Sequence, residues 1–598
     1  MIDSGLVLRV NHTRAFPSHL ILLDTETKIT PTEDGEVHTF RLGWTCELTR
    51  RKGGVDFQED WAFHDNASAF NTFLESLCTG KAATWILAHN LFFDLQACGF
   101  FPYFTASLWH LDFLYDKGLT FCMVIKKKPS TIKLLSTTNW FDVSLEELGR
   151  DVGLEKLSVD FAAVGDKELA VYCRRDVEIL KASLLKYMSF CREHDTGRFA
   201  MTRASQSFAA YRHRFMHDTI HVHEDPRVKL LERAGYFGGR VEAFRLGELT
   251  GGPFLFLDVN SMYPYVMREN LFPTRLLAYS ESPTDERWKA GLENGCIMAE
   301  VDLSTNVPLY AVKKDGKLLF PVGDFRTVLC TESLKEAILR GHLRTVRRWA
   351  LYQARPLFRS YVDYFYPLKA LYRAQGETLY ARIVKLFLNS LYGKFGSRAP
   401  LMDTFDCPDF PGVSRETVLD ATTGERWIEY AIMGTLVRLY GEVDTKTTVV
   451  SIAAHVTDGA RVLLARLIEG IGWNRVLYCD TDSVVIRKSD LKYVRFSREA
   501  EKLGSLSIAQ ETSTLTLYGC KDYQTDQGRK TKGLPHRATP SGVNQYRYLQ
   551  FDRLITSLRA GASEGIATHW KTKTLSGLYD KGYVSSSGVV SPFHLTGP

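Results

Sequence analysis

Short apolar runs that end on carboxylates recur along this chain. Leu20-Ile21-Leu22-Leu23 leads into Asp24-Thr25-Glu26, and Phe254-Leu255-Phe256-Leu257 ends on Asp258. Trp85-Ile86-Leu87-Ala88 precedes His89-Asn90-Leu91-Phe92-Phe93-Asp94, and the runs Arg475-Val476-Leu477 and Val484-Val485-Ile486 flank Tyr478-Cys479-Asp480-Thr481-Asp482-Ser483. Runs of this length predict buried strands, the last pair a hairpin. Side chains two apart on a strand share a face, so Asp24 with Glu26, and Asp480 with Asp482, are expected to project together. After Asp258, Pro264 is expected to close a tight turn that sets Tyr263 one turn from the acid. A period of 3.6 predicts a helix from Asp166, as N-cap, to about Tyr187, with an apolar stripe of Leu169, Tyr172, Cys173, Leu180 and Leu184 that also carries Asp176. A second helix is predicted over about Glu377 to Tyr392, stopped by Gly393 and Gly396. One face carries Arg382, Lys385, Asn389 and Tyr392, the other Ile383, Leu386, Phe387, Ser390 and Leu391. Strands and helices alternate without segregation, so the fold class is α/β and α+β, multidomain.

Carboxylates at the ends of buried strands, or on the buried stripe of a helix, are costly unless something pairs with them. Hard oxygen donors favour Mg²⁺, bound by one or two carboxylates together with substrate phosphates. For Asp480-Thr481-Asp482-Ser483 alone, ordinary turn chemistry is an equal alternative, because Asp and Ser bond their own backbone in loops. The cationic row ending in an aromatic offers what a triphosphate and a stacked base need.

Asp258 to Pro264, Lys385 to Gly393 and Tyr478 to Ser483 resemble, in chain order, the three palm and fingers motifs of family B DNA polymerases. The resemblance implies a right-hand fold of palm, fingers and thumb, with two Mg²⁺ per active site (Mn²⁺ able to substitute) aligning a primer 3′-hydroxyl with an incoming dNTP. It implies Asp258 and Asp482 as principal metal ligands, Val259 beside them, and Asp480 as a weaker or outer partner. Lys385 is expected to bind dNTP phosphates, helped by Arg373 and Arg382, while Asn389, Tyr263 and Tyr392 shape the sugar and base pocket. Tyr263 is the expected steric gate against a ribose 2′-hydroxyl. Met262 stands where the family has Leu, a volume-conserving change. The amino-terminal segments are similar to the proofreading 3′–5′ exonuclease of such polymerases, with an RNase H-like fold. That likeness implies Asp24, Glu26, Asp94 and Asp176 as catalytic metal ligands, Tyr172 orienting water, and Asn90 and Phe93 touching DNA.

Further short patterns resemble the protein-primed branch of the family. Ser144-Leu145-Glu146-Glu147-Leu148 and Lys156-Leu157-Ser158-Val159 imply contacts of Ser144 and Leu145 with a single-stranded 3′ end and of Lys156 with a phosphate. Tyr236-Phe237-Gly238-Gly239 resembles the linker motif between synthesis and proofreading, and Lys521-Asp522-Tyr523 a primer-terminus motif, so Tyr236, Gly238, Gly239, Lys521 and Tyr523 join the expected DNA contacts. The branch starts replication of linear DNA from a terminal protein and displaces the opposing strand. It carries two insertions, expected here at about 280–346 and 400–447. Domains are expected as exonuclease 1–200, connector 201–245, palm 246–520 with fingers at about 355–398, and thumb 521–598. Expected partners are template-primer DNA, dNTPs and a terminal protein, with the chain a monomer.

Composition changes this picture little. At 598 residues, the length suits about three to five units of roughly 150 residues each. Eleven cysteines without a Cys-x-x-Cys pair argue against disulfide frameworks and zinc ribbons, and so for an intracellular, soluble protein of host cytoplasm or organelle. No run reaches the roughly 18 apolar residues of a membrane span, and the first residues lack a signal-peptide core; a mitochondrial presequence finds little support. The tail 576–598, rich in Gly and Ser, is expected to be loosely ordered at its end. Residues 521–598 carry 11 basic and 5 acidic side chains, which accounts for the whole net charge of +6 and suits a thumb on a phosphate backbone. A reverse transcriptase is disfavoured by the order of the two sites and by Thr481 between the aspartates, and an inactivated scaffold by the survival of both acid sets. A DNA-primed family B enzyme of a mobile element or repair role, and an exonuclease-dominant nuclease, remain the alternatives.

Overall fold

The computed structural model describes residues 5–33, 35–51, 54, 56–161, 163–406, 414–499, 501–535, 537–551 and 566–597. Residues 407–413 and 552–565, which fall within the expected second insertion and thumb, lie outside the described residues.

The amino-terminal unit is built on strands β1 (His19–Thr32), β2 (Gly35–Arg50), β3 (Phe57–His64), β4 (Thr84–Ala88), β5 (His110–Lys117), β6 (Thr120–Lys127) and β7 (Ser130–Ser136). Their order is β2-β1-β4-β7-β6-β5, with β3 on β2. β4 lies parallel to both β1 and β7, which is why Trp85 to Ala88 is buried without alternation. Helix α2 (Asp166–Glu193) packs on this sheet, and helix α1 (Leu145–Val152) packs on α2. Gly165, not Asp166, is the N-cap of α2; it has no side chain to offer, and Asp166 instead pairs with Arg41 at 2.7 Å. α2 also runs six residues past the expected end, because Met188, Phe190 and Cys191 continue the buried stripe.

The palm is an antiparallel sheet of β8 (Val241–Ala243), β9 (Phe254–Val259), β10 (Val476–Asp480), β11 (Ser483–Arg487) and β12 (Leu506–Thr512), in the order β12-β9-β11-β10-β8. Between β9 and β10 the chain leaves and returns, passing through helices α3 (Met262–Glu269), α4 (Arg359–Ala374), α5 (Thr378–Phe395) and the buried α6 (Val450–Ile471). Pro264 lies inside the first turn of α3 and does not close a turn; its missing N–H is one of the amides a helix start leaves unpaired anyway. The left-handed bend falls earlier, at Ser261 with φ of 52°. Helix α5 begins one residue later than expected, with Glu377 as its cap, and continues through Gly393 to Phe395 because Phe395 is buried in the core.

Two further sheets overlap the spans expected for the insertions, about 280–346 and 400–447. Phe272–Ser280, Gly295–Thr305, Val322–Cys330 and Leu343–Arg355 form the first, joined by His594–Thr596; Arg398–Asp406, Ser414–Leu419, Arg426–Ile432 and Thr435–Asp444 form the second.

Beyond β12, where a thumb is expected, the described residues divide among four sheets. Leu515–Gly519, Asp522–Thr525 and Gly528–Thr531 pair with each other and with Gly247–Glu248. The strands β13 (Gln545–Phe551) and β14 (Ile566–Thr574) extend the amino-terminal sheet, β14 pairing with β2 from Gly35↔His569 to His38↔Ile566. The tail is also ordered where looseness was expected: His594 to Thr596 pairs in parallel with Val322 to Asp324, the Tyr579 hydroxyl accepts from the Ala243 amide, and the Lys581 ammonium donates to the Val241 carbonyl. The ten described cysteines are all free thiols. Among the described residues, no helix is long and apolar enough to cross a membrane.

Candidate functional sites

The first site forms where β9 and the β10–β11 hairpin end side by side, Asp258 pairing with Ser483 in register and the Val259 amide donating to the Asp482 carbonyl at 2.9 Å. Burial, and then the negative charge of Asp482, push the Asp258 carboxyl up to about 6; Lys385 and Lys369 oppose the shift. Burial raises Asp482 as well. Two carboxylates held against both desolvation and each other are what a pair of metal-ligating acids looks like before the cation is added. Asp480 turns elsewhere. Thr481, between the two acids, takes a left-handed φ of 62°, and both Asp480 oxygens accept from the Lys521 ammonium, at 2.7 and 2.8 Å. The hairpin therefore does not present Asp480 and Asp482 as an equivalent pair, because the twist at Thr481 interrupts the alternation expected of a continuous strand.

Lys385 and Asn389 are exposed on α5, and Lys385 is near enough to Asp258 and Asp482 to oppose the upward shift of both. Arg382 is not available beside them: its Nε donates to Asp151 at 2.7 Å and an Nη to Glu147 at 2.5 Å, both on or next to α1 of the other unit. In its place stands Lys369, on α4, whose ammonium is held below its usual range by burial and by Arg373 and Lys385. In sequence, Lys369 carries no mark of its own beyond its spacing of one turn from Arg373. Arg373 is exposed and lies 3.5 Å from Glu501. Tyr263 and Tyr392 stack face to face, ring centroids 4.9 Å apart and planes 6° from parallel, and burial pushes the Tyr263 hydroxyl up to about 12. Close approach requires a glycine at Gly239 of the linker motif and at Gly396, which faces the motif's Tyr236. A Cβ at Gly239 would stand 2.9 Å from Thr481 and 3.0 Å from the Tyr263 hydroxyl, and one at Gly396 would stand 2.5 Å from the Tyr236 ring. Gly238 is open, but its carbonyl and that of Phe237 accept from buried Arg461. Tyr523 packs on Phe256 and Tyr478, beneath the sheet.

The second site gathers Asp24 and Glu26 from β1, Asp94 from the helix after β4, and Asp176 from α2. Burial raises all four carboxyls, with like-charge repulsion added for Asp24, Glu26 and Asp94: Asp24 lies well above the usual range, Glu26 at about 7, Asp94 at about 8. The Thr25 amide and hydroxyl both donate to Asp94, at 3.0 and 2.9 Å. Lys156 reaches into this cluster, donating to Asp176 and lying 4.2 Å from the Tyr172 ring centre. The other Asp176 oxygen, Oδ1, is buried with no hydrogen-bond partner. Cys173 was expected only as stripe, yet its thiol lies within ligating reach of Asp24 and Glu26; burial holds that thiol far above its usual range. Asn90 adopts a left-handed φ of 69°, and Phe93 packs on Phe551 of β13 with centroids 5.4 Å apart. The Ser144 hydroxyl caps α1 by accepting from the Glu147 amide while the residue remains exposed, and Leu145 is buried in the core, only 8% exposed.

Both clusters suit divalent cations by donor chemistry: the first offers carboxylate oxygens with compensating lysines around them, and the second adds an orphaned buried oxygen on Asp176.

Comparison with known proteins gives a consistent family. The family model for DNA polymerase type B, organellar and viral, matches residues 112–404. A DNA-directed DNA polymerase of Enterobacteria phage PRD1 is 27% identical over 301 residues, 49% of each chain, and the DNA polymerase of Bacillus phage phi29 is 22% identical over 388 residues, 61% of this chain and 60% of that one. The chain thus spans about half the length of the PRD1 relative. In fold it is similar to phi29 DNA polymerase complexed with primer-template DNA and incoming nucleotides, with a TM-score of 0.67 at 14% identity, over 94% of this chain and 100% of that one.

Proposed function

We propose that this chain, related in sequence and fold to the organellar and viral type B DNA polymerases, is a DNA-directed DNA polymerase with a separate 3′–5′ exonuclease, and that it initiates on a terminal protein and displaces the opposing strand. The observation that carries the reading is the facing pair Asp258 and Asp482 at the ends of adjacent palm strands, each made costly by burial and offset by Lys385.

Asp258 and Asp482 would hold Mg²⁺, which supplies charge neutralisation at a reacting phosphate and a more acidic attacking hydroxyl. Lys385, Lys369 and Arg373 form a cationic wall from two helices, suited to a triphosphate. The stacked Tyr263 and Tyr392 rings make a flat, dry floor for the sugar and base, and Tyr263 fills the space where a 2′-hydroxyl would sit. Lys521, clamped on Asp480, holds the hairpin's outer acid away from the pair and brings the segment with Tyr523 to its edge. At the second site, Asp24, Glu26, Asp94 and Asp176 would hold the cations for hydrolysis, while Lys156 and Tyr172 orient the acids and the attacking water. Separation of the two clusters on different sheets makes the two activities separable by mutation.

Asp482→Ala is expected to abolish nucleotide addition and to leave hydrolysis of single-stranded 3′ ends, while Asp24→Ala with Glu26→Ala does the reverse. Loss of both activities from either change refutes separate sites. Incubation with labelled dATP and the protein encoded beside this gene tests priming; extension of DNA or RNA primers alone refutes it and leaves a DNA-primed enzyme.

A further inference from the structure

Arg240 follows the linker glycines directly and is among the most deeply buried side chains of the molecule, 1% exposed. Its backbone carbonyl accepts the Thr481 amide at 2.7 Å. Thr481 is the left-handed residue between Asp480 and Asp482, so this bond holds the apex of the turn that carries both acids. β8, immediately after Arg240, pairs with β10 up to Val241↔Asp480, and the Arg240 carbonyl extends that pairing into the turn.

The side chain is anchored in another part of the chain. Its Nε donates to Glu242 at 2.8 Å, and Nη1 donates to the Pro308 carbonyl at 2.7 Å. The guanidinium lies 4.1 Å from the Phe320 ring centre and 5.0 Å from that of Trp473. Pro308 and Phe320 belong to the first insertion, and Trp473 closes the approach to β10. An arginine's planar fork holds such a geometry in fixed directions, which a lysine's single ammonium does not. Burial in an aromatic cage also denies it water as an alternative partner.

We infer that Arg240 is a positioning residue, which transmits the seating of the first insertion to the turn that sets Asp482 opposite Asp258. This rests on the polymerase reading above. When the insertion shifts at Pro308 or Phe320, the guanidinium follows, and the carbonyl that holds Thr481 moves with it. The distance between the two acids is thereby coupled to a sheet that touches neither of them.

The test is steady-state nucleotide addition on a primer-template, with hydrolysis of a single-stranded 3′ end measured on the same preparations. Arg240→Gln is combined with Glu242→Gln, so that no buried carboxylate loses its cation. A misplacement of an ångström or less at reacting groups costs about tenfold or more in kcat, so kcat for addition is expected to fall by at least about tenfold. The KM for dNTP and the hydrolysis rate should both stay within about twofold, because the cationic wall proposed for the triphosphate stands on α4 and α5 and the second site lies on another sheet. Phe320→Ala, in the insertion itself, should give the same kcat-only loss, and Arg240→Lys an intermediate one. Unchanged kcat in the double variant overturns the inference; so does a fall in hydrolysis parallel to that in addition, or a rise in KM alone. Asp482→Asn, assayed alongside, tests the underlying reading separately: if it still adds nucleotides, that reading fails on its own ground.

Discussion

The acid cluster of the second site makes folding of the cation-free protein depend on pH in an unusual direction. Glu26 is moved from 4.5 to about 7 and Asp94 from 3.8 to about 8, chiefly by burial. Both carboxyls keep their protons to higher pH in the folded than in the unfolded chain. Their contribution to stability is therefore fully present below the unfolded values and is lost as pH rises through about 7 to 8. The shift at Glu26 alone corresponds to about 3 kcal/mol. Asp94 and Asp24 titrate with it, so their mutual repulsion is shared and the individual figures do not add. In a unit of roughly 200 residues, about 3 kcal/mol moves the unfolding midpoint by roughly 6–12 °C. Thermal scans in EDTA from pH 5 to pH 8.5 should show that fall, and millimolar Mg²⁺ should restore the midpoint at pH 8 by binding the folded form alone. Glu26→Gln with Asp94→Asn should flatten the profile. If the double variant falls as steeply as the parent, or Mg²⁺ leaves the high-pH midpoint unmoved, the cluster is not a charge-starved cation site.

Tyr263→Val should admit ribonucleotides at a rate approaching that of deoxyribonucleotides, measured by single-nucleotide extension; unchanged sugar discrimination removes Tyr263 as the gate. Arg382→Ala cuts the pairing of α5 with Asp151 and Glu147. Since Glu147 is 41% exposed and screened, the loss is expected to be about 1–2 kcal/mol, with increased hydrogen exchange at the start of α5 and unchanged exchange in β9.

The strand-end acids were readable because apolar runs of four residues ending on a carboxylate are a local pattern, and the order of three such patterns is hard to produce by chance. The polar face of α5 was equally readable, but not its partners. Arg382 looked like a phosphate ligand on the helix wheel, and only folding brings Glu147 and Asp151 to it from more than 200 residues away. Lys369 escaped notice for the converse reason, since a half-buried lysine on a helix acquires meaning only from the acids it faces. Leu145 and Lys156 show the same limit: a short motif names residues but not whether they point outward. The single-residue errors at Gly165 and Glu377 reflect caps that work through the backbone, without the side-chain signature that marks a helix start.

The pairing of β14 with β2 joins segments more than 500 residues apart in sequence. During synthesis, the amide edge of β2 leaves the ribosome more than 500 residues before its neighbour β14 is made. For that interval the nascent sheet offers an unguarded border to any other extended peptide. Completion of the sheet that holds β2 must accordingly wait for a segment made much later, and non-local pairing of this kind belongs to the slow end of folding.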